Sequence, residues 1–154
     1  MNVTLNGKRR ALIAAPGETL LEALRAAHLW SVKRGCDDEG VCGNCAVIVD
    51  GRLVPSCVVL AAQIEDKNIE TVEGLAAADG TLHPIQAAFL DEAAVQCGYC
   101  TPAMILAAKA LIAREAQPTE EHARDALEGI LCRCTGYVKP IQAILTAAER
   151  MRAK

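Results

Sequence analysis

"GCDDEGVCGNC", residues 35–45, puts Cys36, Cys42 and Cys45 on one short segment punctuated by Gly35, Gly40 and Gly43. Three thiols this close are paired as disulfides, held on a metal ion, or wrapped around something larger. Five more cysteines follow: Cys57, Cys97, Cys100, Cys132 and Cys134. The opening "MNVTLNGKRR" has no apolar core of the signal-peptide kind, so a cytoplasmic protein is expected. In that compartment the glutathione pool keeps thiols reduced, and metal binding becomes the first reading.

The first set is spaced Cys-x5-Cys-x2-Cys-x11-Cys, from Cys36 to Cys57. Plant-type [2Fe–2S] sites use Cys-x4-Cys-x2-Cys with a distant fourth cysteine. A loop that curls around a two-iron centre supplies three thiolates from one turn of chain and aims backbone N–H groups inward. Tight curling calls for positive φ or close backbone approach, which glycine supplies. The gap after Cys36 is one residue longer than that pattern, and Gly40 is placed to absorb it as a local bulge; the alternative is that Cys36 is no ligand. A zinc site remains open, although it usually shows two short knuckles where this set has one. Inert core cysteines are a further alternative. Asp37, Asp38 and Glu39 read as a solvated loop tip rather than a carboxylate metal site.

The second set comprises "QCGYCTP", residues 96–102, and "LCRCTGY", residues 131–137. Cys-x2-Cys alone is common, with redox-dithiol and zinc readings open. Each pair is followed by a helix signal, so the four sulfurs can converge at one end of a bundle. Helix N-termini stabilise negative charge, which favours a centre that accepts an electron.

Working outward, the first half reads as a small mixed sheet with one helix. Asn6-Gly7 and Asp50-Gly51 are hairpin turns, flanked by "NVTL" and "RRALIA", and by "CAVIV" and "RLVPSC". A helix is predicted over about 18–28, with Leu20, Leu21 and Leu24 on one face, and a short last strand in "KNIETV". Residues 71–84 read as a linker. The second half reads as four helices: Pro84 to about Val95; one capped by Thr101 and opened by Pro102; one from Pro118-Thr119 to Leu131; and one opened by Pro140. The fold class is therefore α+β.

Composition bounds the rest. At 52% hydrophobic and 23% charged, the chain is globular rather than disordered. Only Trp30, Phe89, Tyr99 and Tyr137 are aromatic, so Ala, Leu, Ile and Val must build the core. A net charge of −3 gives no electrostatic reason to bind nucleic acid. No run approaches the roughly 18 apolar residues of a membrane span. His28, His83 and His122 have no cysteine at ligand spacing and read as surface or capping residues. Met104 reads as core. Lys33 and Arg34 read as a solvated pair that can also tune the first centre, and Arg133 as a donor toward a sulfur or a partner carboxylate.

"QCGYCTPAMI" and "LCRCTGY", with the upstream ferredoxin-like loop ending in "PSC", resemble the iron–sulfur subunit of the molybdenum hydroxylases. This is the family of xanthine dehydrogenase, aldehyde oxidoreductase and aerobic carbon monoxide dehydrogenase. The resemblance covers nearly the whole chain; Ala103 stands where the family usually has Gly. It implies a β-grasp, plant-ferredoxin-like domain over 1–75 and a four-helix domain over 76–154. It implies two [2Fe–2S] clusters: one on Cys97, Cys100, Cys132 and Cys134, nearer a molybdopterin cofactor, and one on Cys36, Cys42, Cys45 and Cys57, nearer flavin. Gln96 matches the family's pterin-bonding Gln, since an amide both donates and accepts; the alternative is that it caps the turn. Cys134 lies at the same pterin contact. The implied role is electron transfer within a complex, with the molybdopterin on a large subunit and, as acceptor, FAD on a medium one or a different acceptor in a flavin-free arrangement. No substrate pocket is implied on this chain. A free-standing ferredoxin-like carrier and a zinc-stabilised interaction module are the competing readings.

Overall fold

The computed structural model describes residues 1–153. Its elements run β1 (Asn2–Leu5), β2 (Lys8–Ala11), α1 (Leu20–Ala26), β3 (Ala46–Val49), β4 (Arg52–Pro55), β5 (Asn68–Glu70), α2 (Pro84–Asp91), α3 (Thr101–Arg114), α4 (Glu120–Leu127) and α5 (Val138–Arg152). The strands form one mixed sheet in the order β2-β1-β5-β3-β4. This is an α+β arrangement, with the strands in the first half of the chain and four of the five helices in the second.

Both hairpin signals act as expected. Asn6 and Gly7 take φ of 49° and 75°, and Asp50 and Gly51 take 46° and 80°. Positive φ at both central residues matches the right-handed strand twist, so Leu5 pairs with Lys8 and Val49 with Arg52. Strand β5 then enters between the two hairpins, parallel to β1 and antiparallel to β3. Thr19 and Glu22 close a capping box on α1. Leu20, Leu21 and Leu24 of that helix pack onto Val3, Leu5, Val47 and Ile69. The predicted linker is fastened at its start, because the Asn6 side chain donates to Thr71 Oγ1 (3.0 Å) and accepts from the Thr71 amide (2.8 Å).

The helices pack around Phe89, Ile85, Met104, Leu111, Leu127 and Ile144. Ala88, Ala143 and Ala147 are fully buried, so the alanine-rich composition lets α2 and α5 approach closely. Ala46 of β3 belongs to this helical core, which ties the sheet to the bundle.

Several predicted boundaries move, each for a local reason. Thr101 does not cap α3 but is its first residue; Cys100 holds the cap position without a side-chain bond. Pro102, whose missing N–H costs nothing in a first turn, allows the helix to begin one residue early. Helix α2 ends at Asp91, not near Val95, because Ala93 turns left-handed (φ 53°) and the Ala94 amide reaches back to the Phe89 carbonyl at 2.9 Å. Helix α4 stops at Leu127 rather than Leu131, and the Leu131 amide is spent elsewhere, as described below. Helix α5 starts at Val138, two residues before Pro140. Among the described residues no helix is long and apolar enough to cross a membrane.

Candidate metal centres

The first four cysteines come together at one end of the sheet. Cys36, Cys42 and Cys45 lie on the loop before β3, and Cys57 sits in a 3-10 turn (Ser56–Val58) after β4. Cys42, Cys45 and Cys57 are buried and Cys36 is half-buried. The thiols meet as two pairs, Cys36 with Cys42 and Cys45 with Cys57. The amides of Cys42, Val41 and Gly40 converge on the Cys36 sulfur, the first contributing most, and bring its pKa down to about 7. Burial and the Cys45 thiol push Cys57 up to about 12. Burial also raises Cys42, against the backbone and side-chain amides of Asn44. Ser56 Oγ, fully buried, donates to the Cys45 carbonyl at 2.7 Å and fixes the turn that presents Cys57.

The loop after Cys36 turns left-handed at three positions, Gly40 (φ 75°) among them. Asp37 and Asp38 both take positive φ (54° and 68°), and the Glu39 amide closes the turn onto the Cys36 carbonyl at 3.1 Å. Gly40 is also closely approached: a Cβ there would come within 2.8 Å of Val58 Cγ1. Asp38 is not part of a solvated tip, since it is half-buried and pairs with Arg34 at 3.1 Å. Arg34 also reaches Glu22 at 3.6 Å, and Lys33 donates to the Trp30 carbonyl at 2.8 Å, so neither base is simply solvated.

The second four converge where α3 and α5 begin. Cys97 and Cys134 are exposed, with their Sγ atoms 3.6 Å apart; Cys100 is buried and pairs with half-buried Cys132. Burial opposes ionisation of Cys132, but the Thr135 hydroxyl (3.1 Å) and amide (3.4 Å) outweigh it and hold the thiol near 7. Burial and then Cys132 drive Cys100 up to about 12. Tyr137, left-handed at φ 67°, accepts from the Cys132 amide (2.9 Å) and donates to the Ile130 carbonyl (3.0 Å). A cavity of about 420 Å³ opens over this set, lined by its four cysteines together with Asn44, Tyr99, Leu131 and Arg133.

The two cysteine regions touch. The Leu131 amide donates to the Cys42 carbonyl at 2.9 Å, and Asn44 Nδ2 donates to the Leu131 carbonyl at 3.3 Å. Tyr99 Oη donates to the Arg34 carbonyl at 2.6 Å. Gly43 is pressed so close to the partner loop that a Cβ would lie 2.0 Å from the Gly129 carbonyl oxygen.

This donor set fits a [2Fe–2S] group better than one zinc ion. A structural zinc needs its ligands around a single point. Here the thiols are paired, and among the described residues no three His, Cys, Asp or Glu gather tightly enough to hold one ion. Two pairs suit two metal atoms. Amides aimed at sulfur, and helix starts beside Cys100 and Cys134, suit a negatively charged cluster. The eight cysteines thus gather in two sets of four, Cys36, Cys42, Cys45 and Cys57 in one and Cys97, Cys100, Cys132 and Cys134 in the other.

Gln96 is exposed and makes no side-chain hydrogen bond among the described residues, so it does not cap the turn. Arg133 is exposed on the cavity rim. The histidines stay outside both groups: His83 and His122 sit in capping boxes of α2 and α4, and His28 is exposed where α1 ends. Met104 is core. Sequence reasoning missed Asn44, Ser56, Thr135 and Tyr137. Each adjoins a cysteine or lies within "CTGY", and that proximity was the available signal.

Residues 3–80 match the family described as "2Fe-2S iron-sulfur cluster binding domain", and residues 71–145 match "[2Fe-2S] binding domain". The chain is 48% identical over 151 residues to the nicotinate dehydrogenase small FeS subunit of Eubacterium barkeri, covering 97% of this chain and 95% of that one. It is 46% identical over 144 residues to the xanthine dehydrogenase iron-sulfur-binding subunit of Escherichia coli O157:H7, covering 92% and 89%. Quinoline 2-oxidoreductase from Pseudomonas putida 86 superposes with a TM-score of 0.93 at 40% identity, over 99% of this chain and 95% of that chain. Aldehyde oxidoreductase from Desulfovibrio desulfuricans ATCC 27774 gives 0.93 at 39% identity, over 99% of this chain and 17% of that much longer one. With paired thiols, near-complete coverage and identities of 48% and 46% to the two iron–sulfur subunits, the chain belongs to the [2Fe–2S] subunits of the molybdenum hydroxylase family.

Proposed function

We propose that this chain is the electron-transfer subunit of a molybdenum hydroxylase complex, with one [2Fe–2S] cluster on Cys36, Cys42, Cys45 and Cys57 and a second on Cys97, Cys100, Cys132 and Cys134. Residues 1–75 make a β-grasp, plant-ferredoxin-like domain and residues 76–154 a four-helix domain. When bound, the clusters each take up and release one electron. The protein's part is to hold the thiolates, donate amides to them and keep water from the first set. Gln96 and Cys134, both exposed, face a molybdopterin on a large partner subunit. The loop at Cys36 faces an FAD-binding medium subunit. The complex works in the cytoplasm, where free thiols persist until iron is loaded.

One observation carries this reading: two sulfur tetrads, each split into pairs, abut through the Cys42–Leu131 hydrogen bond. A lone ferredoxin-like carrier has no use for a second tetrad with two exposed thiols. Iron and acid-labile sulfide analysis of the purified protein is the test, with about four irons per chain expected. Dithionite reduction should give two distinct electron paramagnetic resonance signals, and Cys100→Ser should abolish one and spare the other. A single signal at full iron loading, or colourless protein carrying zinc, overturns the proposal. Stable isolation without a molybdenum-containing partner, with activity toward unrelated reductases, would favour a free carrier.

A further inference from the structure

Asn44 stands between Cys42 and Cys45, so by sequence it belongs to the first tetrad. Its side chain nevertheless lines the cavity of the second, in company with Cys97, Cys100, Cys132 and Cys134. It is 6% exposed. Nδ2 donates to the carbonyl of Leu131, the residue before Cys132. The Asn44 side-chain amide also hydrogen-bonds to the Cys42 thiol. Oδ1 is buried with no hydrogen-bond partner among the described residues. A buried unpaired amide oxygen is destabilising, and a small apolar side chain would avoid it. Packing alone therefore does not explain an amide here.

We infer that Asn44 is a bridging residue, a positioning and tuning group whose single amide acts on both sulfur tetrads at once. The inference rests on the two-cluster reading above. Hydrogen-bond donors near cluster sulfur stabilise the more negative, reduced state and so raise the reduction potential. The amide acts on the first centre through the Cys42 sulfur and on the second through the Leu131 carbonyl that leads into Cys132, and so raises both potentials. No bond is made or broken at Asn44; each centre gains one electron on reduction.

The test is a redox titration of the assembled complex with dithionite, following both electron paramagnetic resonance signals, in the native protein and in Asn44→Ala. At unchanged iron content, both midpoints are expected to fall in the variant. A shift confined to one centre, or none, overturns the bridging role. Asn44→Asp keeps the shape and replaces the donor with a negative charge, so both midpoints should fall further than in Asn44→Ala. If both variants lose iron, Asn44 serves packing and the inference fails. Should the native protein itself show fewer than two signals, the two-cluster reading fails first, and the two failures are thereby distinguished.

Discussion

At the residue scale, Cys132 is governed by the five residues after it. Thr135 places a hydroxyl and an amide on its sulfur, while Tyr137 pins its amide and the Ile130 carbonyl with one phenol. Thr135→Val removes the hydroxyl donor and keeps the amide. The helical-region centre should then titrate at a lower potential, with the other centre unmoved, in the same dithionite titration; an unchanged midpoint would show that the hydroxyl does not act on the cluster. Gly43 is a different kind of constraint. It combines φ of +68° with the Gly129 carbonyl where a Cβ would go. Gly43→Ala should lower stability by about 1–3 kcal/mol through overpacking, with added strain from the left-handed backbone. A lowered thermal midpoint checks this, and wild-type melting would refute it. The grouping of the cysteines was legible because their spacing is specific, and the structure gathers the same two sets of four. Asn44, Thr135 and Tyr137 were not, because their roles arise from bonds made only after the chain has folded.

At the element scale, legibility follows how local the determining interaction is. The Asn6-Gly7 and Asp50-Gly51 turns need only their own backbone, and both hairpins formed where the residues indicated. Helix ends depended on more than their own signals. The Leu131 amide, at the expected end of α4, bonds to Cys42 instead, and α3 takes Thr101 as its first residue with Cys100 at the cap position. The place of β5 between the hairpins also lay beyond local signals, since it joins strands from opposite ends of the first half. Packing between helices rests on few large side chains, and Phe89, 1% exposed, is the largest of them. Phe89→Ala should cost about 3–5 kcal/mol, because it removes the bulkiest fully buried side chain and leaves a cavity in the helical core. Thermal or denaturant unfolding measures the loss, and a cost below about 1 kcal/mol would mean that α2 and α5 repack freely.

At the scale of the whole molecule, the two tetrads differ in shelter. The chain buries three of its first four cysteines by itself, but leaves Cys97 and Cys134 exposed beside Gln96. On the proposed function, the surface of a partner subunit covers this second set. Exposed clusters lose iron to chelators and oxidants faster than buried ones, because reagent and water reach the sulfur atoms directly. In the isolated chain, an iron chelator under air should strip the helical-region centre first, halving the iron content while the loop-centre signal persists. Within the assembled complex that difference should vanish, as the partner covers the second site. Parallel iron assays and spectra over the time course decide the matter. Loss of the loop centre first, or equal loss from both in the isolated chain, would show that burial by this chain alone does not set the order.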